Sequence, residues 1–266
     1  DAISGPVIKV VARAVQPRLV RNVASGTPVG HPLHPLLTDL PIGAWTMATV
    51  LDLIGGKASA PAADLLVKVG IVATVPTALS GLNDWSDTYG PETRIGVAHA
   101  AMVHAALGLY VASAVSRSRG NRTKGKVVGL VGLGALMAGG YLGGHLAFVK
   151  GVNVSRVAHE EGPDEWTPVL ADAELGEGEH RKVDAGGTSV LLHRSGGRIL
   201  ALNNICSHMG GPLDEGTFAD GCVTCPWHGS MFRMTDGSIY RGPASTEQPT
   251  YDTRVTDGQI EVRAAS

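Results

Sequence analysis

The stretch Cys206-Ser207-His208 is followed, sixteen residues later, by Cys225-Pro226-Trp227-His228. Two Cys–His pairs at this spacing can present two thiolates and two imidazoles from facing loops. Thiolates suit iron and sulfide, and neutral imidazoles on one iron raise the potential above that of an all-Cys cluster, so the set suits a 2Fe–2S centre. A structural zinc ion is the alternative for two Cys and two His. Zinc sites more often pair Cys with Cys and His with His, and the alternating order here argues against one. Gly210, Gly211 and Gly229 let the loops turn tightly and bring backbone N–H groups toward the sulfides. Of the three cysteines, Cys222 is left over and reads as a packed thiol. An intrachain disulfide would sacrifice a ligand, which favours a reducing compartment.

The rest of the chain has a different character. Only 17% of its 266 residues are charged, 36 are glycine and the mean hydropathy is positive, too apolar for an ordinary soluble protein. Nothing in the charge balance suggests nucleic acid. Four apolar stretches, about Leu36–Ile54, Ala62–Leu82, Ile95–Val115 and Val127–Val149, reach the ~20 residues that cross a bilayer. The fourth has no Asp, Glu, Lys or Arg and carries Ala135, Gly139 and Gly143 at spacing four, with Gly140 and Gly144 beside them, a stripe that lets helices approach closely in lipid. The second holds Asp64 and Lys68 at i and i+4, positions that can pair on one face. Val7–Arg21, with Lys9, Arg13 and Gln16 at helical spacing, reads as one short helix on the membrane surface, its length limited by Pro17. Asp1 to Gly26 lacks an apolar core with a cleavage site, so no signal peptide is expected.

Four spans return the chain to the side from which it started. His31 and His34 precede the first span, His99 and His104 lie in the first half of the third, and His145 lies near the end of the fourth. All five are expected toward one membrane side, the side from which the chain continues to the Cys/His region. Ionisable groups inside a membrane are expensive and usually functional. A b-type haem held by two imidazoles is one reading. Another is a quinone pocket in which His and Asp39 exchange protons with the ring oxygens, and a third is interfacial histidines bonded to backbone carbonyls. His99 and His104 are about 140° apart around a helix, so at most one is expected as an axial ligand. His31 and His34 each precede a proline, which biases them toward extended backbone.

The string His31-Pro32-Leu33-His34-Pro35, continuing to Pro41-Ile42-Gly43, resembles a family of small bacterial four-helix membrane domains of unknown function, which end in a motif like Tyr141-Leu142-Gly143-Gly144-His145. The resemblance covers about residues 28–155 and says little about activity. Beyond a polar linker (156–166, including His159 to Glu165), long apolar runs give way to short strands. Ser189–Leu192 and Arg198–Leu202 flank Ser195-Gly196-Gly197 as a hairpin, and Gly237–Tyr240 and Gln259–Val262 follow similar turns. The expected organisation is an interfacial segment (1–27), a four-span α-helical bundle (28–155), the linker, and an all-β domain (167–266).

Residues ~167–264 resemble a Rieske ferredoxin-type domain, on the strings Cys206-Ser207-His208-Met209-Gly210-Gly211-Pro212-Leu213 and Cys225-Pro226-Trp227-His228-Gly229-Ser230. The resemblance implies that Cys206 and Cys225 bind a buried iron, and His208 and His228 an outer one. Quinol-oxidising Rieske proteins of cytochrome bc complexes add a disulfide between the two cluster loops, at positions occupied here by Gly211 and Trp227, and a Tyr where Phe232 stands. Ser230 is retained and can donate to a sulfide. Loss of the disulfide and the tyrosine hydroxyl removes stabilisation of the reduced cluster, so a low potential is expected, about −150 mV at the foot of the Rieske range. Rieske oxygenases need a further iron held by two His and a carboxylate. No His follows His228, so this chain is not expected to be such a catalytic subunit.

The sequence therefore predicts a membrane-anchored electron carrier between a redox enzyme, a dehydrogenase or hydrogenase, and the membrane quinone pool, directly or through haem. The alternatives are a membrane-bound redox sensor or assembly subunit, and a ferredoxin-like donor to an oxygenase. A bacterial inner membrane is the expected location. Five basic residues near the membrane on the cluster side (Lys9, Arg13, Arg18, Arg21, Arg94) face six on the other (Arg117, Arg119, Arg122, Lys124, Lys126, Lys57), a near tie that slightly favours the latter side as cytoplasmic. The unpaired Cys222, the low-potential motif and the lack of a visible export signal outweigh it and predict a cytoplasm-facing cluster.

Overall fold

The computed structural model describes residues 4–265 and divides into two compact units. One contains the chain up to Gln16 together with Pro32–Val152; the other contains Pro17–His31 together with the chain from Asn153 onward. The single helix expected over Val7–Arg21 is two: α1 (Ser4–Ala14) in the first unit and α2 (Arg18–Ser25) in the second. Pro17 supplies the break, because it disfavours helical backbone at Gln16 and brings no N–H of its own.

The first unit is built on α3 (Leu33–Ile54), α4 (Ala60–Trp85), α5 (Gly90–Ser118) and α6 (Arg122–Gly144), the last continuing as a π-turn over His145–Val149. These are four helices long and apolar enough to cross a membrane. Their outward faces are apolar, with Leu53, Leu65, Val72, Leu79 and Met137 all exposed, as a lipid-facing surface requires. Inside, Trp45 stacks on Tyr110 at 4.1 Å and donates its indole N–H to Val67 O at 3.1 Å.

The glycine stripe on α6 serves close packing on α5, but it is longer than expected. A Cβ on Gly125 would stand 2.5 Å from Arg117, one on Gly132 3.1 Å from Tyr110, one on Gly139 2.8 Å from Val103, and one on Gly143 3.1 Å from His99; Gly140 faces open space. Gly139→Leu is therefore expected to destabilise the α5–α6 pair by about 1–3 kcal/mol through overpacking, while Gly140→Leu leaves it unchanged. Thermal unfolding of the two variants in detergent checks the contrast.

At the end of the bundle where α3 and α5 finish, Arg117 bonds Asp52 and reaches Asp64 at 2.9 Å. Arg122 reaches Asp52 at 3.0 Å and Asp64 at 2.7 Å, and Lys126 Nζ donates to Asp52 O at 2.6 Å. The pairing expected between Asp64 and Lys68 is replaced by these partners. Two guanidiniums meeting two carboxylates inside a bundle outcompete a single pair on its surface.

The second unit is antiparallel throughout. Its larger sheet has the order β1-β10-β9-β4-β3-β2, from β1 (Thr167–Ala171), β2 (His180–Ala185), β3 (Thr188–Ser195), β4 (Arg198–Asn203), β9 (Thr250–Thr256) and β10 (Gln259–Ala264). The smaller is β5-β6-β7-β8, from β5 (Thr217–Ala219), β6 (Cys222–Thr224), β7 (Met231–Arg233) and β8 (Ile239–Arg241). The expected hairpin is β3–β4, closed by Gly196 and Gly197 at φ 59° and 72°, the left-handed pair that a two-residue hairpin turn demands. The polar linker packs on this unit: Arg156 N–H donates to Ser207 O at 3.1 Å, and Ala264 N–H to Pro163 O at 2.8 Å.

Candidate metal centre

The first Cys–His loop follows β4 and the second joins β6 to β7. The two share one backbone pattern. Cys206 N–H donates to Gly211 O (2.9 Å) and Gly210 N–H returns to Cys206 O (2.9 Å); Cys225 N–H donates to Ser230 O (2.8 Å) and Gly229 N–H returns to Cys225 O (3.1 Å). Gly210 and Gly229, at φ 84° and 72°, close each loop in a conformation that L side chains rarely adopt. Gly211 is needed for a different reason: a Cβ there would lie 2.7 Å from Cys225 Sγ and 3.1 Å from the Trp227 ring. Gly211 and Trp227, the positions at which a loop disulfide would fall, are thus neighbours.

Cys206 and Cys225 lie in the core with Leu191, Leu202, Leu213 and Phe232. The hydrogen bond from Cys206 draws the Cys225 thiol down to about 7, while the same bond and burial push Cys206 well up. His208 and His228 meet edge to face, 5.1 Å between centroids. Burial, then His228, Arg21 and Arg156 hold His208 neutral, with its pKa lowered to about 3. His208 Nδ1 and His228 Nε2 are sealed from solvent and make no hydrogen bond, as metal-facing nitrogens do in a cluster domain.

No three His, Cys, Asp or Glu side chains among the described residues converge on one point. Ser230 is fully buried and its Oγ accepts from Ala244 N–H at 3.0 Å, leaving its own proton to give. Phe232 is equally buried and brings no hydroxyl. Burial pushes the Cys222 thiol up, the state of an inert packed residue.

Two features of the site escaped the sequence reading. One is the loop after β8, Gly242 to Gln248, which braces both cluster loops. Ser207 Oγ donates to Thr246 O (2.7 Å), Ser207 N–H to Gln248 Oε1 (3.0 Å), and Gln248 Nε2 to Asn203 O (2.8 Å) and Ile205 O (2.6 Å). The other is α2, which docks on that loop. The Gly-Pro pair at 242 and 243 was a visible sign of a special turn; the docking of α2 had no local signal.

In the helical unit the histidines separate. His34 and His99 come together, with centroids 6.5 Å apart and planes at 90°. His34 Nδ1 meets Thr77 O at 2.9 Å and His99 Nδ1 meets Gly139 O at 2.8 Å. A carbonyl only accepts, so Nδ1 carries a proton in both rings. His34 is helical rather than extended, because Pro35 falls in the first turn of α3, where no N–H is missed. His104 sits at the midpoint of α5, which starts earlier than expected, and turns outward to bond Ala100 O of its own helix at 2.6 Å. Asp39 is exposed. His145 opens the π-turn, and His31 is exposed in the segment that belongs to the β unit.

A double-sheet β domain with paired Cys–His loops over a shared core is an iron–sulfur electron-transfer domain. Residues 165–252 match the Rieske (2Fe-2S) domain family, and residues 30–156 match the family described as predicted membrane protein (DUF2231). The anthranilate 1,2-dioxygenase ferredoxin subunit of Burkholderia cepacia is 35% identical over 98 residues, 37% of this chain and 91% of that protein. Human apoptosis-inducing factor 3 is 33% identical over 92 residues, 35% of this chain but only 15% of that protein. Among solved structures, the ferredoxin of carbazole 1,9a-dioxygenase from Nocardioides aromaticivorans IC177 is similar at 27% identity, over 38% of this chain and 98% of that one, with a TM-score of 0.36. The chain belongs to the Rieske iron–sulfur family, and its Rieske domain implies a 2Fe–2S cluster.

Proposed function

We propose that this protein is a membrane-anchored electron carrier, with Cys206 and Cys225 on the inner iron and His208 and His228 on the outer one. When bound, the cluster takes up and releases one electron. The carrying observation is that one chain joins a Rieske domain to four apolar helices that enclose a convergent histidine pair. Cys206 and Cys225 would supply two thiolates from a buried core and His208 and His228 two imidazoles; exposed Trp227 gives a redox enzyme, a dehydrogenase or hydrogenase, an apolar contact. In the helices, His34 and His99 offer two basic Nε2 atoms, suited to accept the hydroxyl proton of a quinol or to hold a b-type haem iron between them. The absence of a loop disulfide and of a hydroxyl at Phe232 supports a low potential. The β unit is placed on the cytoplasmic side of a bacterial cell membrane.

The test is electron flow in proteoliposomes from a reduced dehydrogenase or hydrogenase to a membrane quinone. His99→Ala is expected to cut quinone reduction at least tenfold while leaving the cluster EPR signal intact; unchanged reduction overturns the quinone reading. A Soret band in the purified protein that disappears in His34→Ala assigns haem to the pair, and its absence assigns direct quinone contact. Protease cleavage confined to inverted vesicles supports the orientation. Similarity to a dioxygenase ferredoxin subunit favours a second reading, donation to an oxygenase. That reading requires reduction of an oxygenase component without quinone.

A further inference from the structure

The four helices of the bundle repeat one hairpin. His34, Trp45 and Asp52 on α3 have counterparts in His99, Tyr110 and Arg117 on α5, each 65 positions further along the chain. Gly70, Thr77 and Gly81 on α4 have counterparts in Gly132, Gly139 and Gly143 on α6, each 62 positions further along. The contacts repeat with the residues. His34 Nδ1 donates to Thr77 O at 2.9 Å, and His99 Nδ1 to Gly139 O at 2.8 Å. One turn beyond each carbonyl a glycine makes room for the ring: a Cβ would stand 2.7 Å from His34 Cε1 at Gly81, and 3.1 Å from His99 Cε1 at Gly143. Gly70 lies against Trp45 in the same way, and Gly132 against Tyr110. Counterparts also meet each other. His34 faces His99 with 6.5 Å between centroids, Trp45 stacks on Tyr110 at 4.1 Å, and Asp52 bonds Arg117. Such self-matching contacts mark a two-fold axis. The three levels are 11 and 7 residues apart, about three turns and two, so the axis runs along the bundle between α3 and α5. Two levels carry unlike residues. The histidine level alone carries the same residue twice, held by the same bond.

We propose that the helical unit is an internally duplicated histidine hairpin, and that His34 and His99 are equivalent axial ligands of one haem iron on its pseudo-two-fold axis. In membrane transporters built from parallel repeats, the binding site lies between the repeats. A neutral imidazole that donates from Nδ1 has its lone pair on Nε2, and a carbonyl on the other ring nitrogen is the usual support of a metal-bound histidine. A metal ~2 Å from each of two imidazole nitrogens sets the ring centroids about 6 Å apart, close to the spacing here. Two protein donors suffice, because the macrocycle supplies the other four nitrogens. A quinone bonded through both of its opposed oxygens would hold the rings further apart. The inference rests on the electron-carrier reading above and deepens it, choosing haem over quinone for this pair. Thr77, Gly81, Gly139 and Gly143 are positioning residues that fix the two rings.

The experiment is spectroscopy of the full-length protein purified from haem-supplied membranes. A Soret band is expected, with the near-infrared magnetic circular dichroism of two imidazole ligands. His34→Ala and His99→Ala are each expected to remove the low-spin haem signal and to leave the Rieske EPR signal in place. Gly81→Ala and Gly143→Ala, which press on the two rings, are expected to weaken haem binding alike, by about tenfold. His104→Ala, on a ring bonded to its own helix, is expected to change neither signal. A protein with its Rieske signal but no Soret band overturns the proposal and leaves the carrier reading standing. An effect confined to one histidine or one glycine overturns it too. If the histidine variants fail to fold, the dichroism of the unsubstituted protein decides alone, and any axial pair other than two imidazoles overturns the assignment. A missing Rieske signal beside a bis-imidazole haem defeats the cluster reading instead and supports this one.

Discussion

Cys206→Ser is expected to abolish the cluster: the Rieske EPR signal and the bound iron are lost together, and the β unit unfolds at a distinctly lower temperature. Two causes act in the same direction. The thiolate on the inner iron disappears, and metal binding is itself folding free energy in a small domain. The serine hydroxyl is also left in a pocket that is 1% exposed and lined by Leu191, Leu202 and Phe232, at a cost of about 1–3 kcal/mol for an unsatisfied buried group. Cys222→Ser, only three residues from Cys225, is expected to retain full iron content. Iron and sulfide analysis of the two purified variants checks the contrast, and a Cys206→Ser protein with a normal cluster would remove Cys206 from the ligand set.

The second large effect lies at the other end of the molecule's chemistry, in the ion network of the bundle. Arg117→Gln is expected to destabilise the helical unit by about 3–5 kcal/mol, the usual cost of leaving a buried charge without its partner. The side chains of Arg117 and Asp52 are only 4% and 6% exposed, so water cannot replace the lost bonds. Replacing both partners, as Arg117→Met with Asp52→Leu, is expected to recover much of the loss, because two apolar groups of similar size leave nothing unpaired. Arg119→Gln, on an exposed side chain two residues away, is expected to change stability by less than about 0.5 kcal/mol. Unfolding in mixed detergent micelles measures all three, and equal midpoints for the two single variants would show that the network does not hold the bundle together.

Much of this architecture was legible because it is written in local pattern. Uncharged runs of twenty residues announce their helices wherever they pack. The two Cys–His loops announce their chemistry because donor order, glycine position and flanks are all short-range. What could not be read depends on distant partners. Asp64 looked paired with Lys68 because they are neighbours on a helix; its actual partners are 53 and 58 positions away. Of six polar candidates in the membrane half, helix phase could separate His99 from His104, but only packing brings His34 to His99 and leaves Asp39 outside. Nothing in Arg18-Leu19-Val20-Arg21-Asn22 says that its helix leaves the bundle that follows it and docks on a β domain that begins more than a hundred residues later. Gln248 likewise earns its place only through bonds to Ser207, Asn203 and Ile205.

The route of the chain through its two units bears on how the redox centre can be isolated. A body that is compact in space here is not contiguous in sequence, since Pro17–His31 and the chain from Asn153 form it together. A soluble fragment cut before Asn153 would retain every cysteine and both cluster histidines, and would look complete by its motifs. It would nevertheless strip α2 from the loop after β8 and leave Gly242 N–H and Ala244 O without Asn22 and Thr27. Measurements on such a fragment describe the two Cys–His loops without the helix that covers their brace.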